Sequence, residues 1–217
     1  MTNNDLKKYD WPGWPLSENE FGEEFDLQAR RRMVAGSRKL IPYLLKYKHK
    51  LAGSICEVGP FFIPLVNQEE VLAEFTPTTH ITFLENDKFA ISFLKKNINC
   101  EVIYVDLNSP SNFLNAEKND ALNTLFDVII ISQVLNYVDY LTLLNHLYNF
   151  LAADGLIFIN NSVNYGIPEL FSKKRPGSNS GMVKALAASR YKIIEKALLP
   201  KEFKEEFFKR LVLILGK

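Results

Sequence analysis

The chain is poor in the residues that most catalytic and metal sites are built from. Among 217 residues there are 2 cysteines, 3 histidines and 3 methionines. Two cysteines cannot form a disulfide framework, and Cys56 and Cys100 both sit in apolar, strand-like runs, so they read as small buried hydrophobes in a reduced compartment. His49, His80 and His146 are scattered without ligand spacing, and no metal site is expected. No apolar run approaches the roughly 20 residues needed to span a bilayer. The first residues, Met1-Thr2-Asn3-Asn4-Asp5, are polar and acidic where an export signal would be basic and then apolar. A cytoplasmic protein without a membrane partner is the expectation. Charge of one sign is also lacking: 26 basic residues meet 25 acidic ones, so no strong field favours nucleic acid. Arg30-Arg31-Arg32 is the one dense basic spot, and on a helix it reads as a solvated face.

What is present is a hydrophobic fraction of 47% with 12% aromatics, enough for a sizeable core. Residues 1–50 read as an N-terminal extension. Its segment Trp11-Pro12-Gly13-Trp14-Pro15 cannot be helical throughout, and a helical pattern from Glu24 to Tyr47 is expected to kink or split at Pro42. From residue 51 to 217 the pattern alternates. Strands are predicted at 54–58, 80–85, 101–105, 126–132 and 156–159, and helices at 65–75, 87–97, 140–152 and 180–189. Asp154-Gly155 is read as a helix end with a left-handed glycine. The run Phe126-Asp127-Val128-Ile129-Ile130-Ile131-Ser132 has the β-branched character of a central parallel strand. Two closing strands near 192–196 and 211–215 have a short join, so one is expected to insert antiparallel. The fold class is α/β: a doubly wound, mostly parallel, seven-stranded sheet.

Three of the strand-like runs end in carboxylates, Glu57, Glu85 and Asp106. In an open α/β sheet the carboxyl edge is where ligands bind. The order of elements and the blocks Cys56-Glu57-Val58-Gly59, Phe83-Leu84-Glu85-Asn86-Asp87, Tyr104-Val105-Asp106-Leu107, Phe126 to Val138 and Leu147 to Leu156 resemble the class I S-adenosylmethionine-dependent methyltransferases. The resemblance covers about residues 50–217. It implies S-adenosylmethionine as cofactor and methyl transfer to oxygen or nitrogen of a small molecule. It assigns Glu85 to the ribose hydroxyls, with Asn86 beside it, and Asp106 and Leu107 to adenine. Glu57 and Gly59 would border the methionine portion, Ser132 or Gln133 the far wall, and Phe61 is counted among the cofactor-binding residues. Asp87 reads equally as the cap of the next helix. Glu57 has a second reading, as an anchor for the extension through Arg30 or Arg31.

The sequence departs from the family where glycines usually follow the first acid. Here the frame is Glu57-Val58-Gly59-Pro60-Phe61-Phe62-Ile63, with only the first glycine kept. The loss disfavours a dinucleotide, whose pyrophosphate must lie on bare backbone, more than a phosphate-free cofactor. It also opens the alternative of a methyltransferase-like domain that binds without catalysing. Pro64 is expected in the first turn of the following helix. The catalytic residues are unknown. Acceptor-side candidates are Asn136, Tyr137 and Asp139 after the fourth strand, and Asn160, Asn161, Asn164 and Tyr165 after the fifth. Side-chain amides both donate and accept, which suits a neutral polar acceptor, although Asn and Gly here also make turns. Trp11 and Trp14 fit a lid over the cleft or a packing role elsewhere, and Lys173-Lys174-Arg175 fits either an anionic substrate group or a solvated loop.

Overall fold

A computed structural model describes residues 23–62, 64–109, 124–201, 206 and 208–217. Trp11, Trp14, Ile63 and the Pro110-Ser111 connection lie outside them. Helix α1 (Glu23–Ser37) passes through a 3-10 turn (Arg38–Leu40) into α2 (Ile41–Lys46), with Pro42 in the opening turn of α2. There the absent N–H costs no hydrogen bond, so the proline splits the helical pattern as expected.

Strands β1 (Ser54–Val58), β2 (His80–Glu85), β3 (Glu101–Tyr104), β4 (Phe126–Ser132), β5 (Leu151–Asn161), β6 (Lys192–Leu199) and β7 (Arg210–Gly216) form one sheet in the order β3-β2-β1-β4-β5-β7-β6. The first five run parallel to one another, and β7 inserts antiparallel between β5 and β6. The intervening helices are α3 (Glu69–Leu72), α4 (Lys88–Asn97), α5 (Tyr140–Phe150) and α6 (Asn179–Ala187). Alternation along the strands divides the core into two faces. Val58, Ile129, Ile131, Ile157 and Leu213 pack against Leu143, Leu147 and Met182. Ile55, Phe83, Val128, Ile130 and Phe158 pack against Leu40, Leu44 and Leu94. Burial on both faces is why β4 carries no polar residue from Val128 to Ile131.

Helix starts follow side-chain capping. Asp87 accepts from Ala90 N at 2.7 Å, Asp139 from Thr142 N at 3.3 Å and Ser178 from Gly181 N at 3.0 Å. The predicted helix at 65–75 is instead a 3-10 turn (Leu65–Asn67) followed by the single turn of α3. Gln68 between them is extended (ψ 138°), and Arg38 Nη1 holds its Oε1 at 2.6 Å. Pro64 is itself extended (ψ 134°) and precedes that turn rather than joining it.

The expectation at Gly155 is corrected as well. Helix α5 ends at Phe150, and Gly155 lies inside β5 without positive φ. A Cβ there would stand 2.7 Å from the Phe126 carbonyl oxygen, so the glycine serves close strand approach. Gly155→Ala is therefore expected to cost about 1–3 kcal/mol through overpacking, read as a lowered thermal midpoint.

Candidate functional site

Because β1 to β5 are parallel, their carboxyl ends share one rim. Register sets Glu85 level with the residue just beyond β1: Val58 pairs with Leu84, and the Gly59 N–H donates to the Leu84 carbonyl at 2.8 Å. The Val105 N–H likewise donates to the Glu85 carbonyl at 3.0 Å, bringing Asp106 beside Glu85. Glu57 and Glu85 have the parity of Ile55 and Phe83, so both turn to the same face of the sheet.

Both acids are buried, at 2% and 5% exposure, and both hold the loop that follows β1. Glu57 accepts from Leu65 N at 2.7 Å and Val66 N at 3.0 Å. These amides open the 3-10 turn and have no partner within it. Glu57 thus anchors this loop through amides, not through an arginine. Burial lifts its carboxyl to about 7, against the lowering effect of the two N–H groups. Glu85 accepts Phe61 N on Oε2 at 2.8 Å, and Asn86 N and Asp87 N on Oε1 at 2.8 and 3.0 Å. Its pKa is also raised, by burial first, with the three amides opposing.

The loop itself is bent sharply. Gly59 has φ +61° and Phe61 φ +53°. Gly59 needs its missing side chain twice over, since a Cβ would also meet Val134 Cγ2 at 2.8 Å. At Phe61 the left-handed backbone belongs to a large aromatic residue, an unfavourable placement. Its ring packs edge-on against Phe62 at 4.3 Å, and Phe62 meets Phe93 at 5.5 Å and the Arg30 guanidinium at 5.0 Å. Val34 of α1 and Ala90 of α4 complete this cluster. Arg30 and Arg31 are 4% exposed, which overturns the solvated-face reading. A guanidinium over an aromatic ring is stable when desolvated.

Asp106 is partly exposed. Its Oδ1 accepts from Asn108 N at 3.0 Å, and among the described residues Oδ2 meets no protein donor. Asn108 donates to the Tyr137 carbonyl at 3.2 Å and accepts from Asp139 N at 3.2 Å, tying the loops after β3 and β4 together. Leu107 packs against the core beneath.

The other half of the rim is a polar network. Ser132 Oγ lies 2.9 Å from Ser37 Oγ, and Asn160 Nδ2 donates to the Gly36 carbonyl at 2.9 Å, so the end of α1 rests on the ends of β4 and β5. Gln133 (φ +61°) accepts from Ser162 N at 2.5 Å. Asn136 and Asn161 are fully buried. Asn136 Nδ2 donates to the carbonyls of Ser162 and Tyr165 at 2.8 and 2.9 Å, and its Oδ1 accepts from Asn161 Nδ2 at 3.3 Å. Tyr137 Oη accepts from Ile167 N at 3.1 Å, and burial raises its pKa, so the phenol stays protonated. Lys174 pairs with Asp139 at 2.8 Å, and Arg175 Nε donates to Asn164 Oδ1 at 2.8 Å while its guanidinium lies over Phe171.

Sequence reasoning missed Arg210 and Glu206. Their buried ion pair, 2.5 Å long, sits beneath α1, with Arg210 Nη1 3.4 Å from Asn160 Oδ1. A Cβ on Gly36 would stand 2.8 Å from Arg210 Nη2. An arginine opening the apolar run Leu211–Leu215 was the available signal, because a charge at that position needs a buried partner. Among the described residues no group of three His, Cys, Asp or Glu side chains can hold a metal ion, and no helix is long and apolar enough to cross a membrane.

No family model and no curated protein sequence matches the chain. Solved structures do. An S-adenosylmethionine-dependent methyltransferase from Clostridium acetobutylicum superposes with TM-score 0.59 at 12% identity, covering 84% of this chain and 91% of that one. The N-methyltransferase NodS from Bradyrhizobium japonicum gives TM-score 0.58 at 14% identity, covering 83% and 96%. The CurJ carbon methyltransferase gives 0.59 at 13% identity, covering 84% of this chain and 53% of the other. The chain therefore has the class I methyltransferase fold, with the strand order and antiparallel β7 described above.

Glu57 makes the rim pH-sensitive. Its folded pKa, about 7, is above the ordinary 4.5, so the folded state holds a proton that the unfolded state releases. That contribution is complete below pH 4.5 and is lost as pH rises through about 7, at up to about 1.4 kcal/mol per pH unit. Melting temperatures across this window should fall with pH in the wild type. Glu57→Gln should flatten the slope, leaving the part that Glu85 contributes with the same sign.

Proposed function

We propose that the chain is an S-adenosylmethionine-dependent methyltransferase that transfers a methyl group to oxygen or nitrogen of a small, neutral polar acceptor. Residues 51–217 are read as the methyltransferase domain and 1–50 as an accessory segment whose helix α1 borders the site. The observation that carries this reading is the pair of carboxylates at adjacent strand ends, Glu85 and Asp106, with Asp106 Oδ2 open to a donor. NodS and the glycopeptide N-methyltransferase MtfA, both of this fold, have been crystallised with S-adenosylhomocysteine.

The nucleoside end of such a ligand fits these residues. Asp106 would take the adenine amino group, with Leu107 against the ring, and Glu85 would take both ribose hydroxyls. The methionine end is more confined, between Gly59, which already meets Val134, and the Phe61-Phe62 pair. Ser132 and Gln133 border the far side. When bound, the sulfonium supplies an already activated methyl group, so the chain's task is to hold an acceptor in line and exclude water. No strong base is needed for a neutral amine or an easily deprotonated acceptor. His80 stands at the amino end of β2 and His49 before β1, away from the carboxyl rim, and Tyr137 is protonated. On the acceptor side Asn136, Asn161 and Tyr165 would shape the wall through the loops they tie together. The free cysteines Cys56 and Cys100 accord with a reduced, cytoplasmic setting.

A second reading, a binding module without catalysis, is favoured by one observation: three backbone N–H groups already occupy the Glu85 carboxylate. Calorimetry with S-adenosylhomocysteine tests the first. Micromolar binding by the wild type is expected, weakened about ten- to a hundredfold by Asp106→Ala and by Glu85→Ala, the loss of a charge-assisted hydrogen bond. Binding that neither substitution changes removes the proposed site. Binding without turnover across O-, N- and C-acceptor panels supports the second reading.

A further inference from the structure

We propose that Phe61 sets the affinity for the adenosyl ligand: its backbone N–H is a built-in competitor for the Glu85 carboxylate, and the ligand must displace it. The inference rests on the proposed methyltransferase reading and goes beyond it, because it concerns a residue foreign to the glycine frame.

A carboxylate offers about four acceptor positions. Glu85 has committed three, to Phe61 N, Asn86 N and Asp87 N. Asn86 and Asp87 are the next two residues in the chain, and their amides belong to the turn that starts α4, so those bonds are local. Phe61 lies 24 residues away, on another loop, and its bond is the one that can be exchanged. With Phe61 in place Glu85 retains one acceptor position, enough for one ribose hydroxyl but not for two.

The contact is balanced between opposing terms. Against it stands the left-handed backbone of Phe61, which is unfavourable for a residue with a side chain. In its favour are the charged hydrogen bond to Glu85 and the aromatic chain from Phe61 through Phe62 to Phe93, roofed by Arg30. The rest of the loop is held separately, by Glu57 on Leu65 and Val66. Residues 59–62 can therefore move off Glu85 while the loop's far end remains fixed. Glycine in this frame would lack both the strain and the ring contacts; phenylalanine makes the closed state specific and its release conditional.

Amide exchange at Phe61, followed by NMR in the wild-type protein with and without S-adenosylhomocysteine, tests the displacement directly. The Phe61 N–H is expected to be protected in the free protein and to exchange at least several-fold faster when the ligand is bound. Unchanged or slower exchange in the bound protein overturns the inference and leaves the methyltransferase reading intact. Substitutions that alter the left-handed cost give a second readout. Phe61→Ile, β-branched and averse to positive φ, should bind S-adenosylhomocysteine about tenfold more tightly than Phe61→Asn, which tolerates it. Equal or reversed affinities also overturn the inference. Absence of binding in the wild type and both variants overturns the methyltransferase reading, and the competition falls with it.

Discussion

The site depends on two buried carboxylates that accept hydrogen bonds from backbone amides of one loop. Glu57 and Glu85 end neighbouring strands on the same face and receive, between them, the N–H groups of Phe61, Leu65 and Val66. Burying a charge is unfavourable unless it is hydrogen-bonded, and here the unpaired amides of a short, irregular segment supply the bonds. Each side satisfies the other. The loop after β1 is thereby held at two places, at Phe61 by Glu85 and at Leu65 and Val66 by Glu57. The raised pKa values of both acids are the residue of that exchange, since burial outweighs the amides in each.

Around this anchor the rim divides into two halves of different chemistry. On the side formed by β1 to β3 the aromatic cluster of Phe61, Phe62 and Phe93 joins the Glu85 carboxylate through Phe61 N, and Asp106 is partly open. The side formed by β4, β5 and β7 is a closed lattice of amides, hydroxyls and one ion pair, in which Asn136, Asn160, Asn161 and Arg210 bind carbonyls and each other. In the proposed function the acidic half is the one that receives the nucleoside. The amide half ties the ends of β4 and β5 to α1 and to the loop that follows β5.

The sheet was legible because its signals are periodic and its strands are buried on both faces. The run from Val128 to Ile131 has no other plausible environment, and the three strand-end acids marked the carboxyl edge. What could not be read were features set by tertiary partners. The helix expected at 65–75 fails because Gln68 is drawn into an extended backbone beside Arg38, 30 residues away. Gly155 resembles a helix cap in sequence, yet the constraint on it is the carbonyl of Phe126 on the next strand. The arginines of α1 look solvated by composition, yet Arg30 and Arg31 are buried, with the Phe62 ring beneath the Arg30 guanidinium. In the candidate site the identity of the acids was visible. That Glu85 is already occupied was not, since nothing local reports that Phe61 turns its N–H toward it.

The contact of Gly36 with Arg210 has a consequence for biosynthesis. Helix α1 precedes all seven strands in the chain, yet its seat on the sheet includes β7, the most C-terminal of them. Until residue 210 has been translated, the early helix has no guanidinium to lie on and the half-built sheet has an uncovered edge at β5. Seating of α1 on the rim thus waits on the translation of β7, well after the other strands beneath it have been made.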